Sequence, residues 1–150
     1  MIKRSFSILT ILLLSIMYMS SSKVEAGEGK VPPLYWGAHK NIKTLKEDKD
    51  GNVFDHGMSE GAQMFYVIHN AMLSVVTTSE WTDKKADIVK VVRATRTVGS
   101  ESLRGIDIYT SGRKSPIFMA HTGKHQGANI FVSTFKESGY TFYVRTWVKH

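Results

Sequence analysis

The chain has 150 residues, no cysteine and a formal net charge of +7. Without cysteine there is no disulfide scaffold, no thiol nucleophile and no thiolate metal site. The length allows one domain with its own apolar core once the amino-terminal segment is set aside.

Lys3 and Arg4 precede an apolar run over residues 6–19, and Val24-Glu25-Ala26 follows with small or modest residues where a signal peptidase reads. A run of that length is short of the roughly 20 residues a spanning helix needs. Residues 1–26 therefore read as a cleaved signal peptide, and the mature chain is expected to be exported, periplasmic or extracellular, with no retained transmembrane segment. Residues 27–41 read as a Gly/Pro-punctuated leader ending in a first apolar segment, Leu34-Tyr35-Trp36. Residues 42–150 are expected to form a single domain.

Charge is divided unevenly. Residues 27–83 carry five lysines against eight acids, whereas residues 84–150 carry twelve Lys/Arg against four acids. A carboxy-terminal half that basic attracts phosphates, anionic polysaccharide, lipid headgroups or an acidic protein.

Residues 41–55 read as a small hairpin arm, with Asp50-Gly51 supplying the turn. The Asp48-Lys49-Asp50-Gly51-Asn52 stretch is not a calcium loop, because Val53 and Ser59 stand where that loop needs Gly and a bidentate Glu. In residues 58–78, Met64, Phe65, Ile68, Met72 and Val75 recur at helical spacing, which predicts one long buried helix. Residues 86–97 are dense in β-branched side chains and read as a strand, as do residues 102–110 and 116–121. Residues 128–135 and 140–149 flank a four-residue turn at 136–139. In that last hairpin, Phe131, Phe135, Tyr140, Phe142, Val144 and Val148 share one face. Ile130, Val132, Tyr143, Arg145, Trp147 and Lys149 share the other. The expected fold is α+β in two layers, the helix packed on an antiparallel sheet of about four to five strands, with the small amino-terminal hairpin as an arm.

Two groups of residues bear on function. Tyr143, Arg145, Trp147 and Lys149 interleave aromatic and cationic side chains on one strand face, a pattern that stacks on a ring while binding phosphate or sulfate. Arg113 and Lys114 add positive charge nearby in sequence. The second group is His121, Lys124 and His125, expected on a loop bracketed by Gly123 and Gly127. There the two histidines would supply acid and base, with Glu101 an alternative base, and Lys124 a cation, for phosphodiester cleavage. No metal site and no cofactor is expected.

Two short resemblances stop at single motifs. Phe131-Val132-Ser133-Thr134 resembles an NAD-binding strand of ADP-ribosylating toxins, but the chain has no Glu-x-Glu pair and has Trp36 where that family has arginine. Residues 108–113 resemble a strand-turn segment of barnase-type secreted ribonucleases, but Leu103 and Arg104 stand where the family glutamate belongs, and the last strand has no internal histidine.

The sequence thus favours a non-enzymatic, exported binding or inhibitor module. It would use a basic, aromatic-containing sheet face to hold an anionic ligand or an acidic protein, with nucleic acid a possible ligand. The alternative is a small metal-independent ribonuclease-like phosphodiesterase.

Overall fold

The computed structural model describes residues 29–55, 64–77 and 82–149. The amino-terminal segment read as a signal peptide lies outside them. The described chain is strand almost throughout. A 3-10 turn at Pro33–Tyr35 precedes β1 (Gly37–Glu47), β2 (Val53–Asp55), β3 (Met64–His69), β4 (Met72–Thr77) and β5 (Thr82–Val98). These are followed by β6 (Glu101–Thr110), β7 (Ile117–His125), β8 (Ala128–Glu137) and β9 (Tyr140–Val148). Neighbours from β3 to β9 pair antiparallel in chain order, and β1 pairs with both β3 and β9, which closes an eight-stranded barrel. The short β2 hangs on the end of β1 as a ninth strand.

This corrects the expected α+β fold. The described part of the supposed helix, residues 64–77, is the β3–β4 hairpin, with Asn70 at φ 56° in its two-residue turn. Helical spacing misled: Ile68 and Met72 lie four residues apart, but across the Asn70-Ala71 turn Ile68 points inward with Leu73 and Met72 outward. The β-branched and aromatic runs at Phe65-Tyr66-Val67-Ile68 and Val75-Val76-Thr77 favour extended backbone. Both hairpin edges are then satisfied, by β1 on one side and β5 on the other.

The turns carry the chemistry their geometry requires. Gln126-Gly127 and Ser138-Gly139 have positive φ at both positions, at 51° and 81° and at 53° and 83°. That is the requirement of tight two-residue hairpins whose twist matches the strands. The β8–β9 turn is accordingly two residues long, not four, and the β7–β8 turn falls after His125. Residues 121–125 are therefore strand and not loop. At the β1–β2 turn, the Asp48 carboxylate accepts from the backbone N–H groups of Asp50 and Asn52, each at 2.9 Å. These bonds, Asn52 first, lower the Asp48 pKa.

The barrel interior is the core. Ile68, Leu73, Ile88, Val91, Ile106, Ile108, Met119, Phe131, Val144 and Val148 point into it. The face assigned to Phe131, Phe135, Phe142, Val144 and Val148 does pack inward, against other strands of the barrel. One end is plugged by the segment before β1. Val31 donates to the Asn70 carbonyl at 3.0 Å, and the Trp36 indole donates to the Val31 carbonyl at 2.6 Å. The Tyr35 ring lies 5.5 Å from Phe131, and burial raises its phenol pKa. His39, fully buried, is held between the Tyr35 carbonyl (2.7 Å from Nε2) and the Thr146 hydroxyl (3.2 Å from Nδ1). The outer wall carries Lys40, Lys43, Lys85, Asp87 and Lys90, all exposed. Val67, Met72, Val89 and Val92 are exposed as well.

Candidate anion-binding cavity on the outer wall

The β5–β6 hairpin outruns the barrel. β6 pairs with β5 along its whole length, yet with β7 only from Ile106 to Ile108. The distal part of the hairpin bends back over the outer face of β7. Phe118 and Ala120 point outward by register, opposite Thr134 and Val132, but are 1% and 0% exposed. What covers them is the hairpin.

Two residues set the bend. A Cβ at Gly105 would overlap the Met119 carbonyl oxygen and stand 2.9 Å from Ala120 Cα, so only glycine allows β6 to press on β7 there. Arg96, on the distal hairpin, reaches back to the buried Asp107 carboxylate in a two-point pair, with Nε to Oδ1 at 2.9 Å and Nη2 to Oδ2. The hydrogen bond to Asp107 also raises the Arg96 pKa. Bidentate arginine–carboxylate geometry fixes orientation as well as distance.

Under the hairpin lies a cavity of about 620 Å³. The hairpin contributes Val98, Glu101 and Leu103, and the wall contributes Lys43, Leu45, Glu47, Val132, Tyr143 and Arg145. Across the wall the register sets Val132, Arg145 and Lys43 in one row over β8, β9 and β1, and Thr134, Tyr143 and Leu45 in the next. The Tyr143 hydroxyl donates to Glu47 Oε1 at 2.7 Å. Lys43 and Arg145 stand directly opposite each other. No carboxylate pairs with either among the described residues.

The Tyr143 phenol is pushed up to about 12, first by its bond to the Glu47 carboxylate and then by burial and that carboxylate's charge. A phenol whose folded value exceeds its unfolded value of about 10 stabilises the fold below pH 10 and loses that contribution as pH rises through 12. Comparing the tyrosinate difference spectrum of the wild type with that of Tyr143→Phe isolates this titration. Glu47→Gln should return it toward 10. A step still near 12 in Glu47→Gln would show that the carboxylate is not its cause.

The other sequence candidates are distributed around the molecule. Trp147 shares the outer wall with Arg145 but lies opposite Lys40, whose Nζ is 5.1 Å from the indole centroid. Lys149 follows β9 and is exposed. Arg113, after β6, bonds Glu137 at 3.0 Å and the Lys136 carbonyl at 3.0 Å, and stacks over Phe135. Its charge is engaged there; Lys114 beside it is exposed. His121 faces the barrel interior, with Nε2 2.9 Å from Asn129 Oδ1 and its ring 5.2 Å from Phe131. A bulge between His121 and Gly123 shifts the register, so Lys124 and His125 fall opposite Asn129 and Ala128. His125 is thereby on the outer face, away from His121, and both it and Lys124 are exposed. The strands do not bring the two histidines to one point, as an acid–base pair across a phosphodiester would require.

Sequence reasoning reached Tyr143 and Arg145 but missed Lys43, Glu47 and Leu103. The first two sit on β1, whose pairing with β9 joins residues about a hundred positions apart, and no local pattern announces such a contact. Among the described residues no cluster of three His, Asp or Glu side chains is placed to hold a metal, and no helix is long and apolar enough to cross a membrane. No family model, no curated protein and no solved structure matches this chain.

Proposed function

We propose that this protein is an exported binding module that holds an anionic ligand against the outer wall of β9 and β1, with Lys43 and Arg145 as the anion's partners. The observation that carries this reading is the like-charge pair itself. Two cations directly opposite each other across antiparallel strands repel, and such pairs lower stability. Here they sit at the wall of a cavity with no carboxylate between them among the described residues. A bound anion turns that repulsion into a two-point attachment. The basic carboxy-terminal half supports the same polarity of partner, and residues 1–26 support export.

The test separates ligand binding from structure. In the ligand-free protein Arg145→Leu should leave the melting temperature unchanged or raise it, because relief of repulsion gains a few tenths of a kcal/mol. The same change should weaken sulfate or phosphate binding about tenfold or more in titration calorimetry, a loss of about 1.4 kcal/mol. Wild-type affinity should also fall with added chloride. Destabilisation of the free protein together with unaltered anion affinity would refute the assignment.

A further inference from the structure

We infer that the cavity takes a single-chain amphiphile with one anionic head group, its head between Lys43 and Arg145 and its apolar chain beneath the β5–β6 hairpin. This rests on the anion-binding reading of that pair and adds the chemistry of the rest of the ligand.

Aliphatic side chains face the cavity from both of its sides. Val98 and Leu103 come from the hairpin, Leu45 and Val132 from the barrel wall. A site built only for an inorganic anion has no use for these, since burying aliphatic surface beside a hydrated ion contributes nothing to holding it. The apolar lining continues outward through Ile42 and Val53, which line the same cavity yet are 47% and 57% exposed. Exposed aliphatic side chains contiguous with a lined cavity mark the path of an apolar ligand.

Charge restricts the head group. Two cations face the cavity, and Glu47 and Glu101 face it as well. A polyanion such as a nucleic acid backbone meets those carboxylates as soon as it extends beyond the Lys43–Arg145 pair. One carboxylate, sulfate or phosphate monoester head satisfies the pair without reaching them. Size points the same way, because about 620 Å³ lies within the range of small-molecule sites. The flat surface of a protein partner does not enter a cleft roofed by a hairpin.

The experiment is titration calorimetry on the exported chain, below the concentration at which each probe self-associates. The probes are laurate, dodecyl sulfate, dodecyltrimethylammonium and inorganic sulfate. Laurate and dodecyl sulfate are expected to bind one per chain. Inorganic sulfate and dodecyltrimethylammonium should each bind at least tenfold more weakly. Val98→Trp, at a half-buried position beside the tip of the hairpin, fills the apolar part of the cavity. It should weaken laurate tenfold or more while sulfate binds as in the wild type.

If inorganic sulfate binds as tightly as dodecyl sulfate and depends on Arg145, the anion pair stands and the amphiphile assignment falls. Equal binding of the cationic and anionic detergents overturns the assignment as well, since it reports unspecific adsorption. Preference for anionic detergents with no effect of Val98→Trp overturns the placement of the chain under the hairpin. If neither sulfate nor any amphiphile binds, both readings fall together.

Discussion

Phe131→Ala should lower the free energy of unfolding by about 4 kcal/mol, within the usual range for removing a buried phenylalanine. The Phe131 ring is fully buried at the plugged end of the barrel. Tyr35, His39 and His121 surround it at centroid distances of 5.5, 4.7 and 5.2 Å. These partners come from the 3-10 turn, β1 and β7, so one side chain joins the plug to two parts of the wall. Truncation leaves a cavity that the neighbours cannot fill by a rotamer change, because both imidazoles are held by hydrogen bonds, His39 to Tyr35 and Thr146 and His121 to Asn129. Phe131→Leu keeps most of the volume and should cost about 1.5 kcal/mol or less. Equilibrium urea unfolding measures both. A loss below about 1 kcal/mol for the alanine variant would mean that Phe131 does not lie at the centre of the core.

The carboxy-terminal hairpin was legible because its alternation is strict and its turn residues are adjacent. Phe131, Phe142, Val144 and Val148 could share only one face, and that face is inward. The β3–β4 hairpin was not legible, because Met64, Ile68, Met72 and Val75 satisfy a helix period in the sequence, although the hairpin turns Ile68 inward and Met72 outward. The deciding contribution is tertiary: a hairpin there receives hydrogen bonds from β1 and β5, whereas a helix would leave both strand edges open. Barrel closure itself has no local signature. It depends on β1 finding β9, and the residues that meet, such as Lys43 and Arg145 or Leu45 and Tyr143, are unremarkable in their own neighbourhoods.

The candidate site was half legible for the same reason. The alternation of Tyr143, Arg145 and Trp147 placed them outward, where they are. Nothing in the sequence showed that the β5–β6 hairpin would fold across that wall, because strand period describes which face a residue takes and not where a long hairpin bends. The histidines illustrate the opposite error. Gly123 and Gly127 suggested a loop, but Gly123 lies at a strand bulge and Gly127 in the tight turn that follows. Glycine marks both bulges and turns, so its spacing alone could not separate them.

Gly105→Ala should unseat the β5–β6 hairpin and cost about 3 kcal/mol, at the upper end for adding a methyl group to a packed site. The obstacle is backbone, the Met119 carbonyl and Ala120 Cα, so no side-chain rotation relieves it. Arg96→Ala acts on the same hairpin from its distal side. It leaves the Asp107 carboxylate buried without its partner, which should also cost about 3 kcal/mol, the lower end for breaking a buried pair because Arg96 is half exposed. Both changes release one structural unit, so their effects should not add: the double variant should lose at least 1 kcal/mol less than the sum. Amide hydrogen exchange gives the local readout. In either single variant the backbone N–H groups of Glu101 to Leu103 should exchange faster than in the wild type, while those of β8 and β9 change only with the global stability. Additive losses, with protection along the distal hairpin kept in step with β8 and β9, would show that Gly105 and Arg96 stabilise the barrel separately and that the hairpin is not a seated flap over the outer wall.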